Sequence, residues 1–408
     1  MNSNRKNRNI LTHENTKNIV RGERLNTRDF IWKIITVIVL LEIILIAPVI
    51  SSLTNTAIIK STGQISANTI VARSGSPQDI QAAVNTAAAA GGGTVYVPAG
   101  TFNWNGETVD VPAGVSVIGA GQNNTVLQQA KSAPFQVMFS VSGNGQTSKP
   151  VRISGITFKG NVTGSDDVDG SAVYVENVID YRIDHCDFID FPNMAVSIAG
   201  NSGCRGVIDH CNFKCLYKDT IGGSWGYGVV VSSVNYWSWD DDITHFLGKY
   251  ETIPTLFPTA YIEDCYFYKC RHAVSSNQLG WYVFRYNTVY QDWNSGVDVH
   301  GSAPTSAGGR GGEVYNNYII APIGIGFRGG SGVIFNNRGG SPIWVMKDIE
   351  GTPLRPLNNL WIWNNDGEFV NYDGYYKENV NYFLRAPNQQ QDGFTYTPYP
   401  YPHPLTLG

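Results

Sequence analysis

The stretch Tyr181-Arg182-Ile183-Asp184-His185-Cys186-Asp187-Phe188 returns as Gly206-Val207-Ile208-Asp209-His210-Cys211-Asn212-Phe213. It returns again as Tyr261-Ile262-Glu263-Asp264-Cys265-Tyr266-Phe267 and as Val283-Phe284-Arg285-Tyr286-Asn287-Thr288-Val289. Glu313-Val314-Tyr315-Asn316-Asn317-Tyr318 and Val333-Ile334-Phe335-Asn336-Asn337 continue the series, and Val151–Phe158 precedes it. Where no insertion intervenes, the copies recur about every 22 to 29 residues, the period of a solenoid whose units bury their apolar face only by stacking on one another. Each copy is a short β-branched or aromatic run that ends in polar turn residues. At its central position the chain reads Ile156, Cys186, Cys211, Cys265, Asn287, Asn316, Asn336. This predicts an internal stack that changes from apolar and thiol to amide, the amides bonding turn backbone from rung to rung.

Composition agrees. The chain has 408 residues with 44 Gly, 12% aromatic and only 15% charged residues. Many short apolar runs between Gly, Asn and Ser argue for an all-β repeat protein and against an α/β enzyme. The net charge of -4 leaves no basic field for nucleic acid once the N-terminus is set aside. Of the cysteines Cys186, Cys204, Cys211, Cys215, Cys265 and Cys270, three share one repeat position and are expected inside the coil as small hydrophobes. A Cys211–Cys215 or Cys265–Cys270 disulfide is open to a protein outside the cell, and the absence of a CxxC pair argues against zinc.

Residues 1–29 are polar and basic and read as a disordered cytoplasmic tail. Residues 30–50, FIWKIITVIVLLEIILIAPVI, are long enough to span a bilayer. The basic flank places the N-terminus inside. The expectation is an uncleaved signal-anchor, a stalk over 51–70, and an extracellular body over 71–408; cleavage of the signal would make the body secreted. Residues 216–258 form a long insertion, and the Pro-rich tail YTPYPYPHPLTLG is expected to pack along the coil or end it.

At the start of the body, Ser76 is placed to cap a helix with Pro77 in its first turn, and Ile80, Val84 and Ala87 share one face. Gly91-Gly92-Gly93 stops it before Thr94–Val97, a strand. The run DIQAAVNTAAAAGGGTVYVPAGTF resembles the opening of the pectate-lyase-like right-handed parallel β-helix proteins, and the likeness extends over about residues 71 to 340. It implies an all-β parallel β-helix solenoid with an N-terminal capping helix that plugs the coil, because an open end would expose core and unpaired strand edges. RIDHCDF and VIDHCNF are similar to the IDH strand motif of the pectate lyases, which nominates Asp184, His185, Asp209 and His210. As Glu263-Asp264 and Arg285-Tyr286 fill the same positions here, the phrase reads as scaffold. The RxPxxR signature of those lyases and the NTD, GHG and RIK motifs of polygalacturonases are absent.

Each rung offers a second strand: Ala172–Glu176, Ala195–Ala199, Gly228–Ser232, Ala273–Asn277, Gly296–His300 and Gly324–Arg328. With side chains alternating faces, the outward columns are Tyr174, Ser197, Val230, Ser275, Asp298, Gly326 and Glu176, Ala199, Ser232, Asn277, His300, Arg328. Strands stacked about 4.8 Å apart put Asn277, His300 and Arg328 within reach of one sugar residue, with Asp298 on the same face. These four, with Arg285, are the candidate catalytic set; Arg271, His272, Trp225, Trp239 and Trp293 are the candidate substrate-binding set. β-Elimination on a uronic acid suits them: Arg328 or Asn277 to neutralise the carboxylate, His300 to move a proton near neutral pH, Asp298 or Arg285 to assist. A hydrolase needs two carboxylates roughly 5 to 9.5 Å apart, and the column neighbours of Asp298 are not acids. Asp166, Asp167 and Asp169, or Asp240 to Asp242, offer oxygen ligands for Ca²⁺. The expected function is that of an extracellular polysaccharide lyase acting on an acidic polysaccharide. A non-catalytic polysaccharide-binding adhesin is the alternative and a glycoside hydrolase the third reading.

Overall fold

The computed structural model describes residues 68–129, 136–160, 170–200, 203–215, 226–233, 260–292, 294–301, 308–347, 356–393 and 395–407, all within the compact unit Ser66–Gly408. The basic tail, the apolar run 30–50 and the stalk up to residue 67 lie outside the described residues. Among those described, no helix is long and apolar enough to cross a membrane. The body begins slightly earlier than expected, because Thr69–Val71 pairs in parallel with Gly93–Val97. The expected insertion 216–258 is interrupted by Tyr227–Val231, a regular strand between two rungs.

The described strands form three parallel sheets of twelve, eight and ten strands, here called A, B and C. One rung runs from Ile179–Asp184 in sheet A to Asp187–Ile189 in sheet B and Met194–Ala199 in sheet C, then back to sheet A at Arg205–Asp209. The register of sheet C is the one read from the sequence: Val173, Val196, Val229, Val274, Val297, Ile325 and Ile343 stack inward. In sheet B, Phe158, Phe188, Phe213 and Phe267 stack with ring centroids 5.3, 4.8 and 4.5 Å apart. Those spacings match the strand repeat, so Phe188 and Phe213 each touch a copy on both sides. The helix Pro77–Ala89 plugs the first rung, with Ser76 Oγ accepting from Asp79 N at 3.2 Å and Ile80, Ala83, Val84 and Ala87 buried.

The turn between sheets A and B needs a left-handed residue. Gly155, His185, His210, Asp264, Tyr286, Asn316, Asn336 and Asn364 hold it, with φ between 50° and 68°. This moves the expected amide stack by one residue: Asn316 and Asn336 make the turn, and the buried ladder is Asn287, Asn317, Asn337 and Asn365. Asn is among the residues that best tolerate left-handed geometry, so paired asparagines serve both positions and their order cannot be told by type. In the ladder, Asn287 N donates to Asn317 Oδ1 at 2.9 Å, and Asn317 Nδ2 donates to Phe284 O at 2.9 Å and Asn337 Oδ1 at 2.9 Å. Cys186, Cys211 and Cys265 continue the column as buried thiols, each Sγ 3.3 Å from a carbonyl of its own turn. The disulfide is neither expected pair: Cys215 and Cys270, 55 residues apart, bridge adjacent rungs across a Cα separation of 4.7 Å, and Cys204 stays a buried thiol.

The outer face of sheet A carries buried charge. Arg152 grips Asp184 at 2.7 and 2.6 Å, Arg182 grips Asp209 at 3.0 and 2.9 Å, and Arg285 meets Glu263 at 2.8 Å. The C-terminal tail closes over this row. Arg285 donates to Tyr399 O and Pro400 O at 2.8 Å, His403 N donates to Glu263 Oε1 at 2.7 Å, and Tyr396, Tyr399 and Leu405 pack on Tyr261, Tyr315 and Phe335. The tail is thus a strap along the coil.

The ladder yields a paired test. Asn317→Ala strands the Asn287 N–H and the Phe284 carbonyl in the core, which should cost on the order of 2 to 3 kcal/mol. Asn316→Gly keeps the left-handed turn and should change stability by less than about 1 kcal/mol. Urea unfolding of both variants checks this, and equal effects would refute the one-residue assignment.

Candidate functional site

The polar column forms on the outward face of sheet C. Three backbone bonds continue the ladder past the strand ends: Asn277 N to Val231 O, His300 N to Ser276 O and Arg328 N to Val299 O, each 3.0 Å. Asn277, His300 and Arg328 therefore sit on successive rungs, and Asp298 lies on the Ser295–Val299 strand between Ser275 and Gly326.

Asp298 is the electrostatic centre. Its carboxylate is almost fully buried, held by Arg328 through Nε at 3.2 Å and an Nη at 2.9 Å, and it accepts Ser275 Oγ at 2.9 Å. Burial alone would push this acid up; Arg328, with the imidazoles of His272 and His300, overrides it and holds Asp298 well below the usual carboxylate range. Tyr282 Oη donates to its backbone carbonyl at 2.9 Å and fixes the strand from the inner side.

His272 lies one rung below Ser295. Its Nδ1 is 2.8 Å from Ser295 O and from Ser295 Oγ, and its ring sits 5.2 Å from that of Tyr227. Burial is the main cause that lowers its pKa to about 4, against the pull of Asp298. A carbonyl can only accept, so Nδ1 carries the proton and Nε2 the lone pair. His300 has the same arrangement, with Nδ1 2.7 Å from Gly301 O. Arg271 lies with its guanidinium 5.5 Å from the Tyr227 ring centre.

Arg271, His272, Asp298 and Arg328 line one cleft of about 540 Å³. Its far wall is Trp344, Lys347 and Asp373. Trp344 pairs with Gly326 and so continues the Asp298 column; its ring stacks on Tyr372 at 4.7 Å. Sequence reasoning missed this wall because the repeat phrase fades after Asn337. The available signal was the short run Ile343-Trp344-Val345, which fits one more sheet C strand. Asn277 and His300 are beside the cleft on the same face and do not line it.

The other candidates are elsewhere. Arg285 is corrected: it is on sheet A, fully buried between Glu263 and the C-terminal strap, and its guanidinium is used up there. Adjacent positions in the chain put it one sheet away from the column, because each rung turns between sheets. Asp184 and Asp209 are buried in arginine pairs, while His185 and His210 stack on each other at 5.1 Å on the turn outside sheet A. Trp225, Trp239, Trp293, Asp166, Asp167, Asp169 and Asp240 to Asp242 lie outside the described residues. Among the described residues, no group of three or more His, Cys, Asp or Glu side chains is placed to hold a metal.

Among the described residues, the acids that line the cleft are Asp298 and Asp373. A two-carboxylate hydrolase needs one carboxyl with a raised pKa as general acid, and Asp298 is shifted the other way. Asp373, the other acid of the cleft, accepts Lys347 N at 2.8 Å and Tyr375 N at 3.0 Å.

No known family profile matches the chain. A segment of 183 aligned residues is 26% identical to Alginate lyase 7 of Azotobacter vinelandii, covering 38% of this chain and 21% of that protein. In structure, a hyperthermoactive exopolygalacturonase of Thermotoga maritima superposes with a TM-score of 0.51 at 12% identity, over 77% of this chain and 86% of that one. The A-module of a mannuronan C-5 epimerase of Azotobacter vinelandii superposes with a TM-score of 0.46 at 15% identity, over 73% and 94%. The fold is the pectate-lyase-like right-handed parallel β-helix.

The buried histidine predicts a pH dependence of stability. Folded His272 stays neutral down to about pH 4, whereas the unfolded chain takes up that proton near 6.5. The unfolded state binds more protons across that window, so stability falls as pH drops from about 6.5 to about 4, by roughly 3 kcal/mol at most for this group. His403 under the strap, also lowered to about 4 by burial, acts in the same direction. Melting curves should show the fall, and His272→Gln should flatten it; an unchanged slope in that variant would refute the assignment.

Proposed function

We propose that this chain is a polysaccharide-active enzyme that works in the sheet C cleft, and that its reaction is β-elimination on a uronate polymer. The carrying observation is the grouping on one face of an ionised Asp298–Arg328 pair with two imidazoles, His272 and His300, each with its Nε2 lone pair set by a carbonyl at Nδ1. In such a reaction a base removes the proton from C5, the C4–O bond breaks, C4=C5 forms, and the leaving oxygen takes a proton. The step is slow unless the adjacent carboxylate is neutralised. Arg328 and Arg271 supply that charge; Asp298 fixes Arg328 in place and orients its fork. His300, beside the cleft and partly open to solvent, is the proposed base, with Nε2 left to accept the proton by the Nδ1 contact to Gly301 O. His272, buried and neutral, holds the floor beside Asp298.

The likeness of part of the chain to an alginate lyase supports an acidic substrate, and the pairing of Asp298 with Arg328, which holds that acid ionised, favours elimination over hydrolysis. The reading includes an extracellular location, with residues 30–50 as a membrane anchor or a cleaved signal, since the polymer is outside the cell.

The test is the appearance of the unsaturated uronate chromophore when the soluble body is mixed with alginate, pectate and other uronate polymers, with and without Ca²⁺. Product should form with at least one polymer, and His300→Ala and Arg328→Ala should each lower kcat by about 10²- to 10⁴-fold. New reducing ends without the chromophore would make the protein a hydrolase. Binding without product on every polymer would make it an adhesin.

A further inference from the structure

Gly326 has none of the usual reasons to be glycine. It lies in the strand Ile323–Phe327 and points away from the core. Its φ is not left-handed. A Cβ built there would meet nothing nearer than Ser295 Cβ at 3.7 Å and Asp298 Oδ1 at 3.8 Å, ordinary contact distances. Its neighbours differ: a Cβ on Gly324 would come within 2.7 Å of Ser341, and one on Gly296 within 2.9 Å of the Gly324 carbonyl. Those two are demanded by packing between rungs. Gly326 is not, yet glycine inside a strand gives up side-chain packing and costs backbone entropy.

What the missing side chain leaves is room on the cleft floor. In the outward column the order is Asp298, Gly326, Trp344 on three successive rungs. At about 4.8 Å per rung, Asp298 and the indole are two rung steps apart with Gly326 between them, and Arg328, from the Gly326 rung, reaches back to Asp298. Trp344 is half-buried and braced from the far side by Tyr372, at 17° between the rings. Arg328 and Lys347 line the same cleft and supply positive charge.

We infer that Gly326 and Trp344 form a sugar-ring subsite next to Asp298–Arg328, in which one hexuronate residue of the chain lies over Gly326 and against the indole. Gly326 sets the size of what can enter, and Trp344 supplies the apolar surface for a pyranose face. The inference rests on the uronate-polymer reading above and adds the residues that position the substrate for it. A side chain on Gly326 closes the subsite while leaving the groups of Asp298, Arg328 and His300 in place, its Cβ only in ordinary contact with Asp298 Oδ1 at 3.8 Å, so its effect falls on binding before it falls on chemistry.

The experiment compares Gly326→Ala, Gly326→Leu, Trp344→Ala and Trp344→Phe in the full chain, with melting temperature as the folding control. Steady-state rates are measured on uronate oligomers of increasing length. Gly326→Leu and Trp344→Ala should raise KM about tenfold or more with a smaller change in kcat, the pattern of lost substrate binding. Trp344→Phe should recover most of the loss, and Gly326→Ala should be mild because its Cβ has space. If Gly326→Leu fails to fold, the two Trp344 variants decide alone. If the wild-type chain processes a uronate polymer and folded variants keep its KM and kcat, the subsite is overturned while the functional reading stands. If the wild-type chain neither binds nor processes any uronate polymer, both fall.

Discussion

Parallel strands that hand their backbone N–H and C=O groups to a neighbour about 4.8 Å away impose that spacing on every side chain they carry. A residue type that works at one position of a rung can then be repeated along the whole coil. Phenylalanine rings stack at this distance in sheet B, thiols and then amides stack in the turn column, and arginine–carboxylate pairs stack across sheet A. The amide ladder is the sharpest case, because the side chains of Asn287, Asn317 and Asn337 each satisfy a backbone N–H and a carbonyl of the preceding rung. The coil is stable to the extent that no rung breaks the repeat.

The three faces answer that constraint differently. Sheet A carries buried ion pairs that need cover, and the C-terminal strap provides it with backbone carbonyls and tyrosine rings. Buried pairs of this sort are costly to break from one side, which ties the tail to the coil. On sheet C the Asp298–Arg328 pair of the outward column lines a cleft. The same stacking that orders the core places three successive rungs, Asn277, His300 and Arg328, side by side without any loop having to position them.

Much of this was legible in the chain. The inward positions of sheet C are Val, Ile or Phe from Val173 to Phe327 apart from Ser276, so the outward columns could be written down and the register is the one observed. Other parts were not legible. Asn316 and Asn317 are the same residue type in positions with opposite roles, and only φ tells them apart. Arg285 looks like a neighbour of the site when rungs are counted, but it belongs to a different sheet. The Cys215–Cys270 bridge joins residues separated by the segments on either side of Tyr227–Val231, a closure that spacing alone does not reveal. Trp344 was passed over because its strand, Ile343–Val345, is only three residues long.

By itself, the sequence determined the period, the plugging helix, the inward face and the polar column, because each follows from local alternation and a fixed repeat. Only the tertiary structure decided which polar residues meet. The pairing of Asp298 with Arg328, the burial that keeps His272 neutral, the removal of Arg285 to the strap and the arrival of Trp344 opposite Gly326 all depend on how far each rung turns before the next strand begins. That turning is set by loops of unequal length and by left-handed single residues, and neither leaves a periodic trace in the chain.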